Sequence, residues 1–292
     1  MNDNNKGLNK LNVVYYKSST NMKEVSDNSI DLIVTSPPYF NIKDYSMDGH
    51  QEITHSVVNK KDIGNLDSFD KYIKEMVHVW KESERVLKPN GKLCINVPLL
   101  PMLKKDYNTH YNRHIFDLQS SIQNSILTQT NLYLMDIYIW NRTNPTKSLM
   151  FGSYPYPRNF YAQNTIEFIT IYVKDGKPLN NVPIENKEAS KLTQDEWVTF
   201  TKQVWDIPIP NKGDLAFGKH SAIMPEEIVK RCVSLYSFVG DTVLDPFAGS
   251  GTTLKVAKEY GRNYIGYELY ENYKELIDEK VNSVHYKGID KK

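Results

Sequence analysis

Short apolar runs, each closed by turn residues, alternate along this chain with segments of helical periodicity. Residues 30–34 read Ile-Asp-Leu-Ile-Val, the length and composition of a buried strand. Between residues 67 and 87, Phe69, Tyr72, Ile73, Met76, Trp80 and Leu87 fall on one face of a helix, with Asp67 or Ser68 as its N-cap. Lys88-Pro89-Asn90-Gly91 then turns the chain into a strand at 92–97. Runs rich in Ile, Tyr and Leu predict strands at 132–140 and 165–173. Near the end, a strand at 242–245 leads through a glycine-rich turn into a helix from about 253 to 260 and a strand at 263–267. Connections of this kind imply an α/β fold, with a mostly parallel sheet flanked by helices.

Two stretches interrupt the pattern. Residues 41–66 are polar and mixed, while residues 174–215 carry several Pro and Asn, few apolar periods, and the aromatic pair Trp197 and Trp205. Neither fits a compact α/β core. Long segments of this kind are functional loops or plain connectors.

Composition narrows the setting. A chain of 292 residues, 40% apolar and 24% charged, suits one large globular domain or a domain with an insertion. The longest apolar stretch, residues 93–103, contains Asn96, Pro98 and Pro101, and it falls far short of the roughly 20 apolar residues of a membrane span. The opening MNDNNKGLNK has no apolar signal core, so a cytoplasmic protein with no membrane contact is expected. Cys94 and Cys232, 138 positions apart, are too few for a disulfide framework or metal cluster and read as core residues. His110 and His114 stand four apart without a matched third ligand. The formal net charge is +1, so contact with a polyanion would rest on local charge. Residues 98–178 supply some, with eight Lys and Arg against five Asp and Glu.

Candidate chemistry begins where the first strand ends, at residues 35–39, Thr-Ser-Pro-Pro-Tyr. Pro37 and Pro38 each hold φ near about −65° and lack an N–H, and Pro37 keeps Ser36 out of the helical region. The loop is therefore stiff. The Ser36 hydroxyl, the Pro37 carbonyl and the Tyr39 ring offer two acceptors and a stacking face, which suits an exocyclic amine on a flat ring. A proline pair after a strand is also ordinary punctuation, so this loop alone decides nothing.

A second motif, Asp-Pro-Phe-Ala-Gly-Ser-Gly-Thr-Thr at residues 245–253, follows a strand and opens a helix. Glycines there let a ligand approach the backbone, and the helix start presents unpaired N–H groups. Glu268, 17 residues beyond Gly251, lies just after the next strand, where a carboxylate can accept from ribose hydroxyls. A nucleotide-like cofactor is the natural guest. A dinucleotide dehydrogenase would need a fuller Gly-x-Gly-x-x-Gly and leaves residues 35–39 without a role.

In this order the two motifs resemble the amino-group DNA methyltransferases that use S-adenosylmethionine, in the β arrangement where the catalytic loop precedes the cofactor loop. Residues 27–34, 85–91, 164–168 and 225–231 are also similar to family segments, so the resemblance covers most of the chain. RNA and protein methyltransferases with a similar loop place the glycines before it.

The resemblance implies a Rossmann-like S-adenosylmethionine-dependent methyltransferase fold over residues 1–292, with 41–66 as a mobile active-site loop and 174–215 as a target-recognition insertion. It implies a catalytic set of Ser36, Pro37, Pro38 and Tyr39. Ser36 and Pro37 would hold the target amine while Tyr39 stacks on a base flipped out of the duplex. Asp245, Phe247, Ala248, Gly249, Ser250, Gly251, Thr252 and Glu268 would line the cofactor pocket. Where the family carries a Gly-Asp pair before the catalytic strand, this chain has Tyr16 and Lys17 followed by Ser18 and Ser19, and Ser18 is the candidate contact. A neutral serine at position 36 resembles the cytosine-N4 enzymes, whereas Asp or Asn is usual in adenine-N6 enzymes. The sulfonium of the donor is already a good leaving group, so no metal is required. The implied partners are double-stranded DNA and a restriction endonuclease acting on the same site, with the enzyme as monomer or homodimer. One further segment, residues 153–161, interleaves aromatics with Arg158. It reads either as a stacking and phosphate-contacting element or as a surface turn packed by its own rings.

Overall fold

The computed structural model describes residues 9–40, 61–103, 110, 113–144, 153–160, 162–178, 181–220 and 222–284. In chain order its strands are β1 (Val13–Tyr16), β2 (Ile30–Thr35), β3 (Leu87–Pro98), β4 (Leu100–Leu103), β5 (Arg113–Phe116), β6 (Leu132–Arg142), β7 (Ile166–Lys174), β8 (Val204–Ile207), β9 (Thr242–Asp245) and β10 (Asn263–Glu268). The helices are α1 (Phe69–Val86), α2 (Leu118–Gln129), α3 (Ile184–Ala189), α4 (Gln194–Phe200), α5 (Glu226–Tyr236), α6 (Thr252–Glu259) and α7 (Lys274–Asn282). Eight strands form one sheet in the order β1-β10-β9-β2-β3-β7-β6-β8, and β4 pairs with β5 apart from it. Within the large sheet β7 runs antiparallel to β3 and β6, and the other pairings are parallel. The α/β class and mostly parallel sheet expected from the sequence are thus present.

The apolar character of β2, interrupted only at Asp31, follows from burial on both faces. Ile33 packs into the cluster that holds Met76 and Trp80 of α1, while Leu32 and Val34 pack with Val229 and Cys232 of α5. Helix α1 buries Tyr72, Met76, Val79, Trp80, Ser83 and Val86, and Ser68 rather than Asp67 caps it, accepting from the Lys71 N–H.

Two expectations change. The turn at 88–91 does not precede its strand but lies inside it. Leu87 pairs with Ile30 and Lys92 with Leu32, so four residues of β3 oppose one of β2, and Asn90 takes a left-handed φ of 64°. The turn chemistry was real, but the ladder resumes on the same partner. Within residues 174–215, β8 joins the sheet beside β6, and fully buried Trp205 stacks on Tyr138 with ring centroids 4.6 Å apart. That part of the stretch belongs to the α/β core. Residues 41–60 of the expected active-site loop lie outside the described residues, and its end forms a 3-10 turn at Ile63–Asn65.

The strand order also creates the crevice that matters most. From β2 the chain passes through α1 to β3 on one side, and from β9 it passes through α6 to β10 on the other. Yet β2 and β9 are parallel neighbours, with Leu32 against Val243 and Ile33 against Leu244. Connections that leave adjacent parallel strands in opposite directions open a gap at their carboxyl ends. Both motifs begin at that gap.

Candidate active site

Thr35 ends β2 and Asp245 ends β9. The Thr35 hydroxyl donates to Asp245 Oδ1 at 2.7 Å, and Thr253 Oγ1 donates to the Val34 carbonyl at 3.4 Å. These bonds set the 35–39 loop against the 245–253 turn. Together they line one cleft of about 550 Å³, within the usual range for small-molecule sites.

On the glycine-rich side, Asp245 Oδ1 also accepts from the Phe247 N–H at 3.0 Å, and the Ala248 N–H donates to the Tyr267 carbonyl at 2.8 Å. Glu268, at the end of β10, accepts from the Gly249 N–H through Oε2 and the Tyr270 N–H through Oε1, each at 2.8 Å. Gly249 and Gly251 have φ of 51° and 83°, a region open to glycine without strain. A Cβ on Gly249 would lie 2.9 Å from His220 Nε2. Burial raises the Glu268 carboxyl to about 7 and the Asp245 carboxyl to about 6. Asp245, Phe247, Ala248, Gly249, Ser250, Thr252, Glu268 and Ser18 all line the cleft. Gly251 stands behind them as the N-cap of α6, close to Ile277.

Ser36, Pro37, Pro38 and Tyr39 line the facing wall. Ser36 Oγ donates to the Asn96 carbonyl at 3.2 Å and lies 3.1 Å from the Tyr39 hydroxyl. A serine has one proton to donate. With that proton on Asn96, Oγ is an acceptor toward Tyr39 and toward the cleft. Burial pushes the Tyr39 phenol well above its ordinary range, so the ring stays neutral. The Tyr72 hydroxyl donates to the Pro38 carbonyl at 2.9 Å and ties the loop to α1.

Several residues of this site carried no expectation. Asn96, near the end of β3, donates from Nδ2 to Glu167 Oε2 at 2.8 Å, and Glu167 Oε1 lies 3.8 Å from Arg142 Nη1. An amide inside an apolar strand was a legible signal. Ser19 is 2% exposed, lines the cleft, and has a buried Oγ with no hydrogen-bond partner. Lys17, at the position where the family has Asp, pairs with Glu24 at 2.5 Å. His220 and Asp62 also line the cleft, from segments with no local motif. Cys94 and Cys232 are both buried. Among the described residues no group of three or more His, Cys, Asp or Glu could hold a metal, and no helix is long and apolar enough to cross a membrane.

Residues 30–279 match the sequence pattern of the DNA methylase family. The chain is 31% identical over 284 residues to the Type II methyltransferase M.MjaI of Methanocaldococcus jannaschii, covering 92% of this chain and 90% of that protein. Against the Type II methyltransferase M.MthZI of Methanothermobacter thermautotrophicus it is 29% identical over 283 residues, covering 92% and 76%. A putative DNA modification methylase of Thermus thermophilus, solved in complex with S-adenosyl-L-methionine, superposes with a TM-score of 0.71 at 27% identity, covering 92% of each chain. The match runs through both motifs that meet in the crevice, and the chain belongs to the DNA methylase family, the amino-group DNA methyltransferases of restriction-modification type.

Proposed function

We propose that this chain methylates the N4 amine of cytosine at a specific duplex DNA site, with S-adenosylmethionine as methyl donor. The observation that carries this reading is the orientation of Ser36 as an acceptor, in the same cleft as the glycine-rich turn and Glu268.

The cleft fits that donor on its own chemistry. Glu268 places a buried carboxylate where ribose hydroxyls can donate, Ser19 leaves a buried hydroxyl without a partner, and the turn exposes backbone close to the cavity. Asp245, Phe247, Ala248, Gly249, Ser250, Thr252 and Ser18 would complete the pocket, with Gly251 shaping its turn. S-adenosylmethionine supplies a methyl group on a sulfonium.

The chain's own residues then act by position. Ser36 Oγ and the Pro37 carbonyl accept the two N–H groups of the target amine, which draws its lone pair out of conjugation with the ring. Pro38 keeps the loop stiff, and Tyr39 stacks on the extruded base. Placement of two reactants in one cleft provides most of the rate, and the released proton passes to water. A neutral hydroxyl at position 36, in place of a carboxylate or amide, supports cytosine over adenine. In the same reading the part of residues 174–215 outside β7 and β8 recognises the sequence, and a restriction endonuclease cuts the unmethylated site.

The test is transfer of labelled methyl from S-adenosylmethionine to unmethylated genomic DNA, followed by mass spectrometry of the nucleosides. N4-methylcytosine is the expected product. N6-methyladenine without methylcytosine would overturn the choice of base, and absence of label across a broad DNA panel with cofactor bound would overturn the reading.

A further inference from the structure

The β6–β7 connection leaves the sheet beside the catalytic loop. β6 and β3 both run antiparallel to β7, so β6 ends at the same edge as β2 and β3. The base of the connection is closed by the Arg142 N–H donating to the Thr165 carbonyl at 2.8 Å. From Arg142 a chain of contacts runs through Glu167 and Asn96 to Ser36.

Inside this connection residues 153–160 make a closed turn. The Ser153 N–H donates to the Asn159 carbonyl at 2.8 Å, the Tyr156 N–H to the Ser153 carbonyl at 2.8 Å, and Ser153 Oγ to the Tyr156 carbonyl at 2.7 Å. The turn does not pack its own rings away. Tyr154, Tyr156 and Phe160 are 70%, 75% and 69% exposed, and Arg158 lies between them. Three large rings held in water at one short turn mark a surface that meets a partner. At this edge of a DNA methylase the partner is duplex DNA, whose base faces accept rings and whose phosphates accept a guanidinium.

We propose that residues 153–160 form an aromatic wedge that stacks beside the extruded nucleotide and holds its base pair open, with Arg158 on a flanking phosphate. This rests on the reading of the chain as a base-extruding methyltransferase. Extrusion costs unstacking and unpairing energy, least where the base is already unpaired. The wedge offsets that cost by stacking.

The experiment compares two duplexes that carry the site located by sequencing DNA methylated by the wild type. One is fully paired, and the other has an abasic residue opposite the target base. Tyr154→Ala, Tyr156→Ala and Phe160→Ala are assayed singly and together, with S-adenosylmethionine affinity as the check on folding. On the paired duplex kcat/KM is expected to fall by about tenfold per ring, while on the abasic duplex it stays within about threefold of wild type. Unchanged rates on both duplexes, or an equal loss on both, would overturn the wedge. An equal loss with a dimer converted to monomer in sedimentation would instead place the rings in a protein interface. A wild type that labels no DNA at all would sink the underlying methyltransferase reading, and the wedge with it.

Discussion

Ser36 has one proton, and its destination decides what the oxygen can receive. Because the proton goes to the Asn96 carbonyl, Oγ faces the cleft as an acceptor. Ser36→Ala removes that acceptor and Tyr39→Ala removes the ring proposed to stack on the base. Each is expected to lower methyl transfer by roughly a hundredfold or more, read by labelled-methyl assay, with S-adenosylmethionine affinity unchanged. Glu167→Gln keeps the side-chain shape but weakens the hold on Asn96. A fall in kcat of about tenfold, with KM for cofactor unchanged, is the expected steady-state result. Glu268 gives a pH signature. Burial lifts its carboxyl from 4.5 to about 7. The linked stability of the free protein is therefore full below about pH 4.5 and lost as pH rises through about 7. A cationic ligand with donating hydroxyls favours the ionised form, so S-adenosylmethionine affinity should rise with pH through about 7. Calorimetry at about pH 6 and pH 8 should show that rise in wild type and a smaller one in Glu268→Gln. Ser36, Tyr39 and Glu268 were legible because each sits in a motif. Asn96, 60 residues from Ser36, showed only as an amide inside an apolar strand and the unpartnered Ser19 not at all, because their relevance comes from what they touch.

Among the elements, those buried on both faces were the most readable. Strand β2 shows an apolar run interrupted only at Asp31 because helices cover it above and below. Helix α1 shows its period because one face meets the core and the other meets water. Strand β8 was hidden. Four residues are too few to establish a period, and its place depends on β6 being present beside it. Trp205 is the anchor of that edge, stacked on Tyr138, with its Nε1 donating to the Phe200 carbonyl at 3.0 Å and the Arg231 guanidinium 5.2 Å from its ring. Trp205→Ala should destabilise the protein by about 3–5 kcal/mol in urea unfolding. A loss below about 1 kcal/mol would mean that β8 is not held by this packing.

At the scale of the whole molecule, the sheet order brings two motifs into one site, and Thr35 and Asp245, 210 residues apart, share a hydrogen bond. A ligand held by both sides of such a crevice stabilises the folded state by mass action, by about 2.7 kcal/mol at a hundred times its Kd. S-adenosylmethionine at that level should raise Tm by about 4 °C in differential scanning calorimetry. Asp245→Ala should reduce the shift. Local periodicity and motif chemistry were enough to establish an α/β chain and to single out the 35–39 loop and the 245–253 turn. Those signals reside in a few consecutive residues, through proline and glycine geometry and the alternation of buried side chains. The folded chain alone shows the proton of Ser36 directed at Asn96, the bulge at 88–91 kept inside β3, and β8 and Trp205 placed in the core. Each of these is a contact between distant positions, and which positions meet follows from strand order and packing rather than from any local period.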